Sequence, residues 1–383
     1  MVGMCTMGYV GDLVGRNKAF AITSMIMVLS SVGSAVFPFG GASQAYAIIG
    51  ACRFFLGVGI GGCYPLSAAK SAEESGCADV LARNQRAGAA FVFQAIAAII
   101  PYLVGMIVYT AGIEFQFRFL FALGAVPPAI VLWCTWGARE SEEWTSKTTK
   151  PPTAKEQLLL GFEDPNAWKN LAATGLCWFL YDIAYYGSNQ WTPKMTEKIF
   201  VGSDLLSTTW HTAAGFSIGL PSVMHALWVL KKIGTKSLQV WGFVLIATSC
   251  LLIAAFWEML TGEHSTPLQN NLLFVLYIFF LFTVNWGPNM STFVLPQELF
   301  PVEIRTTMNG IAAGMGKLGA VAGIWLFDKG SELCGVVTLM LIVAALNLFG
   351  AVVSYYCIDD SLWKKQKAQM DEACEDSMAS SVA

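Results

Sequence analysis

Three residues of the 383-residue chain combine side-chain types and a spacing suited to holding a polar solute: Trp178, Asp182 and Tyr186. They stand at i, i+4 and i+8, so on a helix all three share one face. An indole N–H, a carboxylate and a phenol in a row offer donors and a charged acceptor. The stretch that carries them, Leu171 to Trp191, reads LAATGLCWFLYDIAYYGSNQW, about the length that crosses a bilayer as a helix. A charge at bilayer depth costs from about 3 to about 10 kcal/mol or more, so it persists where it faces a cavity it serves. Asp182 is therefore the first candidate functional residue. Tyr181, Tyr185 and Asn189 lie near the same face, and packing is the simpler reading for them.

The elements around that face are legible from composition. The chain is 55% hydrophobic and 13% charged, which excludes a soluble globular protein and points to a polytopic membrane protein in a lipid bilayer. A net charge of −3 gives no basic footprint for nucleic acid. Cys52, Cys63, Cys134, Cys177, Cys250 and Cys334 lie in or beside apolar runs and read as small buried hydrophobes. His211, His225 and His264 are scattered; no metal site is expected, His225 reads as packing, and no cofactor is implied. Asn289-Met-Ser291 fits a glycosylation pattern but lies within a span.

Along the chain, a short apolar run (1–10) and the charged turn Gly11–Lys18 precede spans expected at Ala19–Pro38, Tyr46–Ala68, Gly88–Tyr109 and Phe119–Trp136. A polar segment with Pro151-Pro152 follows, and then spans at Leu171–Trp191, Trp210–Leu230, Val240–Leu260, Leu272–Leu295, Asn309–Phe327 and Gly335–Tyr356. The expected organisation is a helical bundle over 1–136, incomplete at its first helix, and a linker over 137–167. A six-helix bundle over 168–357 and a disordered tail over 358–383 complete it. That makes about 11 membrane segments, the first truncated, in an all-α membrane protein. Lysine and arginine crowd the alternate loops that include the Gly11–Lys18 turn, the linker and the tail, so linker and tail are expected in the cytoplasm.

The loop and span motifs carry a resemblance. Gly8-x-x-x-Asp12-x-x-Gly15-Arg16 and Arg53-x-x-x-Gly57-x-Gly59-x-Gly61 resemble two motifs of the major facilitator superfamily. Five further stretches look like the phosphate:proton symporters of plants and fungi. They are Gly61-Gly-Cys-Tyr64-Pro-Leu-Ser67, Trp178-x-x-x-Asp182-x-x-x-Tyr186, Asn285-Trp-Gly-Pro-Asn289, Glu298-Leu-Phe-Pro301-x-x-x-Arg305 and Gly316-Lys317-Leu-Gly319. The resemblance implies a two-bundle transporter in the plasma membrane and no enzyme. Its substrate would be inorganic phosphate and its co-substrate a proton. The phosphate site falls on Tyr64, Gln94, Trp178, Asp182, Tyr186 and Asn285. Lys317 matches the family's lysine and either neutralises Asp182 or adds positive potential for the anion, with a structural ion pair as the plain alternative. Asp12, Arg16, Glu298 and Arg305 are expected as conformational latches, and Arg53 as the partner of a carboxylate or of backbone carbonyls. The small residues Gly310, Gly314, Gly319 and Gly323 around Lys317 are expected to let helices pack closely.

Phosphate at neutral pH keeps one or two protons, so an acid in an anion site has a use: ionised Asp182 can accept from a phosphate hydroxyl. Sulfate carries no such proton. One departure concerns coupling. Where the family reads Gly-Gly-Asp-Tyr-Pro, this chain has Cys63, a thiol and a poor proton carrier near neutral pH. The family's first-helix acid is also not in the sequence, which leaves Asp182 as the expected proton carrier. The competing readings are a sugar or organic-ion porter of the same superfamily and a transport-deficient relative that senses phosphate.

Overall fold

The computed structural model describes residues 2–74, 80–139, 156, 159, 166–202, 204–262, 265–300, 302–361 and 364, and no strand occurs among them. The apolar runs form helices: α1 (Val2–Val14), α2 (Arg16–Val36), α3 (Ala42–Glu74), α4 (Val80–Ile107), α5 (Ile113–Leu123) and α6 (Val126–Thr135). After the linker come α7 (Ala167–Ile199), α8 (Leu205–Ser217), α9 (Gly219–Leu260), α10 (Pro267–Asn285), α11 (Pro288–Leu299), α12 (Val302–Trp325) and α13 (Gly335–Cys357). A π turn at Leu326–Gly330 leads from α12 toward α13. Most of the linker and of the tail lies outside the described residues.

Hydrocarbon cannot satisfy backbone polar groups, so each crossing segment closes its own hydrogen bonds as a helix. The side chains follow the same logic. Leu29, Phe54, Phe93, Ile107 and Trp133 face outward, whereas Thr23, Ser24, Ser31 and Ser34 of α2 are buried. Among the described residues, eight helical stretches are long and apolar enough to cross a membrane. The longest, Leu205–Leu260, turns at Gly234, where φ is 80° and ψ 168°. The polar face of α7 keeps it out of that set, although it is the helix on which the candidate site stands.

Three of the expected spans are interrupted. Phe119–Trp136 is divided at Gly124-Ala125 because Pro127 and Pro128 open a new helix. Trp210–Leu230 is divided at Ile218. Leu272–Leu295 is divided at Trp286-Gly287, with Pro288 as the first residue of α11. Gly287 has φ 75°, and a Cβ there would lie 2.8 Å from the Leu238 carbonyl oxygen and from Gly242 Cα. Glycine alone meets both demands.

The most extensive helix pairing is α7 against α12. A Cβ on Gly319 would stand 2.1 Å from the Phe179 carbonyl oxygen, and one on Gly323 would stand 2.3 Å from that of Ile183. Gly310 meets Met4 of α1 instead, and Gly314 faces open space, so the expected close packing does not extend to Gly314. Helices before and after the linker touch where α1 meets α12 and where α4 meets α8, α9 and α11. One buried apolar cluster joins Met4, Ala87 and Ala95 to Trp178, Val223 and Met290 across that seam.

The cysteines depart from their expected burial. Cys177 and Cys250 are buried and Cys52 and Cys63 half-buried, but Cys134 and Cys334 are exposed on the outer surface. His225 is exposed as well, and its Nδ1 accepts from Trp286 Nε1–H at 2.9 Å.

Candidate functional site

The helical spacing of α7 brings Trp178, Asp182 and Tyr186 to one cavity at the seam between the two sets of helices. Tyr181 and Tyr185 of α7, Tyr64 of α3, Phe91 and Gln94 of α4, Asn289 of α11 and Lys317 of α12 complete the lining. The cavity encloses about 20 Å³, on the scale of a single water. Asp182 is 2% exposed and Trp178 4%.

Charge in the cavity is balanced by one pair. Lys317 Nζ donates to Asp182 Oδ2 at 3.0 Å and to the Tyr186 hydroxyl at 2.8 Å, and it lies 4.2 Å from the centroid of the Tyr186 ring. Lys317 Nζ also lies 5.6 Å from the centroid of the Tyr64 ring, so side chains of α3, α7 and α12 converge on one charge. Gly316 makes room for it: a Cβ there would sit 2.5 Å from Trp178 Cδ1 and 3.0 Å from Asp182 Oδ2. Lys317 and Asp182 thus form an ion pair, as both the neutralising role and a purely structural pair require.

Gln94 reaches the cavity from α4, and its Nε2 donates to the Tyr185 hydroxyl at 2.9 Å, a bond across the seam. Tyr181 turns its hydroxyl to the Val284 carbonyl at 3.0 Å. Phe91 and Tyr64 pack edge-on to Phe293, with centroid distances of 5.6 and 6.3 Å.

Asn285 is not among the lining residues. Its Nδ2 donates to the Leu281 carbonyl at 2.9 Å, one turn back in α10, and its Oδ1 lies toward Gly219. The amide that lines the cavity is Asn289, four residues on and past the break at Gly287. The break redirects the chain, so of the two asparagines of the motif it is Asn289, and not the Asn285 that the resemblance implies, that lines this cavity. The Gly-Pro step between them was the available signal. Cys63 precedes Tyr64 yet turns toward Thr23, with Sγ 3.9 Å from Oγ1.

The expected latch residues divide. Glu298, at the far end of α11, accepts from Asn84 Nδ2 of α4 and from Thr235 Oγ1 of α9. This joins the two sets of helices, and neither partner was singled out by sequence. The Arg53 guanidinium lies over the Phe121 ring at 4.2 Å, so among the described residues it meets an aromatic face instead of a carboxylate. Arg16 is half-buried beside Gly11, and its neighbour Asn17 donates to the Arg139 carbonyl at 2.7 Å. The side chains of Asp12 and Arg305 lie outside the described residues.

Comparison with known proteins agrees with this arrangement of helices. A protein named as an inorganic phosphate transporter of Toxoplasma gondii is 34% identical over 362 residues, covering 94% of this chain and 62% of that protein. The chain thus spans less than two thirds of that relative's length. A low affinity inorganic phosphate transporter of Lotus japonicus is 27% identical, covering 92% of this chain and 77% of its own. Among solved structures, a proton:xylose symporter bound to a brominated glucose superposes with a TM-score of 0.74 at 20% identity, covering 92% of this chain and 82% of the symporter. A human organic anion transporter gives 0.66 at 17%, covering 92% and 80%. The family description of the Major Facilitator Superfamily matches residues 1–324. With most of its length matched and its helices so arranged, the chain belongs to the major facilitator superfamily.

Proposed function

We propose that the chain carries inorganic phosphate across a membrane by alternating access, in symport with a proton. The observation that carries this reading is the seam cavity, where a buried Asp182–Lys317 pair stands among an indole, phenols and amides drawn from both sets of helices. A cavity of about 20 Å³ does not admit an oxyanion, so binding requires the lining to move, and in this reading the Asp182–Lys317 pair parts. Lys317 then turns its charge to the anion, with Trp178, Tyr64, Tyr186 and Asn289 supplying neutral donors. Asp182, deprived of its cation in a dry site, is less costly neutral than charged, which ties a proton to each phosphate. The relatives named as phosphate transporters support the substrate.

The rest of the organisation follows the same reading. Residues 1–136 and 168–357 form two bundles that rock about the cavity, joined by the 137–167 linker. The lysine and arginine bias puts the linker and the tail in the cytoplasm, and the membrane proposed is the plasma membrane. Glu298, Arg16, Asp12, Arg53 and Arg305 act at the ends of the bundles and not on the substrate.

The test is thermal stabilisation of the purified chain by phosphate, sulfate and glucose, followed by uptake into proteoliposomes with and without a proton gradient. A ligand that binds the folded state alone raises its melting temperature. Stabilisation by phosphate, lost in Asp182→Asn, supports the reading. Stabilisation by glucose alone would move the chain to the sugar porters, and binding without uptake would leave a phosphate sensor.

A further inference from the structure

The cavity holds an acceptor that the pairing of Asp182 with Lys317 does not explain. In this structure Asp182 Oδ2 accepts from Lys317 Nζ at 3.0 Å. Gln94, from the other side of the seam, brings a second acceptor. Its Nε2 is spent on the Tyr185 hydroxyl, and its Oε1 is buried without a hydrogen-bond partner among the described residues. A buried acceptor left unmet is destabilising, so its persistence in a ligand cavity points to a donor that the ligand supplies.

Tyr185 is built to hold that arrangement. It is 8% exposed, and its ring packs edge-on to Tyr186 at 5.2 Å and tilted against Tyr181 at 5.6 Å. With Nε2 spent on the Tyr185 hydroxyl, the Gln94 carboxamide carries its carbonyl on the opposite side.

We infer that Tyr185 is a positioning residue that fixes the Gln94 carboxamide so that Oε1 accepts the hydroxyl of a protonated oxyanion, which selects hydrogen phosphate over sulfate. This rests on the phosphate reading above. Phosphate at neutral pH has a P–OH to donate. Sulfate has none and meets Oε1 acceptor against acceptor, leaving both unsatisfied. An amide free to rotate would present its N–H groups instead, and sulfate accepts those as well as phosphate does.

The experiment measures dissociation constants for phosphate and for sulfate with the full chain in detergent, at one pH and ionic strength. Tyr185→Phe keeps the stacked ring and removes the hydroxyl, and the preference for phosphate over sulfate should fall about tenfold. Gln94→Met should lower the preference to a similar degree, and the double variant should add nothing further, because the two act as one unit. Gln94→Glu retains an acceptor and should retain the preference. Equal weakening of both anions in Tyr185→Phe, or additive losses in the double variant, would mark Tyr185 as structural and overturn the inference. If Tyr185→Phe does not fold, Gln94→Met against Gln94→Glu decides, and loss of preference in both would overturn it. Failure of the unsubstituted chain to bind phosphate would instead remove the phosphate reading itself, and the inference with it.

Discussion

At the scale of single residues, Asp182 and Lys317 depend on each other. Asp182 is nearly sealed, with a side chain 3% exposed, while that of Lys317 is 21% exposed and reaches two oxygens. Removing one member of a buried pair strands the other charge, at about 3–5 kcal/mol. Lys317→Met should therefore lower thermal stability by about 3 kcal/mol, the lower end because the lysine is partly open. Adding Asp182→Asn to Lys317→Met should recover most of that loss, measured by thermal unfolding in detergent, without restoring phosphate binding. Asp182→Asn alone should insert and fold but lose phosphate-dependent stabilisation by about tenfold or more in affinity. The acid itself was legible from its depth in an apolar run. Its partner was not legible from local sequence, because residues 135 positions apart share no periodic signal.

At the scale of elements, the α7–α12 contact decides whether these side chains can meet. Gly319 lies against backbone, which cannot rotate away as a side chain can. Gly319→Ala should destabilise the chain by about 1–3 kcal/mol. Gly314→Ala meets nothing within 4 Å and should be neutral or stabilise by up to about 1 kcal/mol through helix propensity alone. Paired melting curves of the two variants check the contrast, and equal effects would mean that the close approach does not govern stability. A stripe of glycines announces tight packing, but only the partner helix tells which glycine is pressed against it. The break at Gly287 makes the same point, since the amide that lines the cavity, Asn289, lies just beyond it.

Across the whole molecule, the two sets of helices are held together at two levels. At the cavity, Gln94 bonds to Tyr185, and Phe91, Tyr64 and Phe293 meet ring to ring. At the end that carries Glu298, Asn84 of α4 and Thr235 of α9 both donate to one carboxylate. The alternating access proposed above requires the second connection to open. A hydrogen bond to a charged group contributes about 1.5–3 kcal/mol, so Glu298→Ala should shift the closed-to-open balance roughly tenfold or more toward open at that end. Labelling of a cysteine placed at buried Ala87 by Ala87→Cys, with and without Glu298→Ala, reads the shift against the background of the parent chain. An unchanged rate would show that Glu298 does not hold this end shut.

Sequence alone determined what is local and periodic: the membrane class, the helical spans, and the shared face of Trp178, Asp182 and Tyr186. Apolarity selects lipid as solvent, and a period of about 3.6 residues places i, i+4 and i+8 together wherever the helix goes. Tertiary structure decided what depends on which helix comes alongside. It paired Lys317 with Asp182, joined Gln94 to Tyr185, gave the cavity Asn289 in place of Asn285, and left Cys134, Cys334 and His225 outside. The physical reason is that lipid-facing and core-facing surfaces of a span are both apolar. Inside a membrane, hydrophobicity no longer marks the interior, and only the packing of helices against one another distinguishes it.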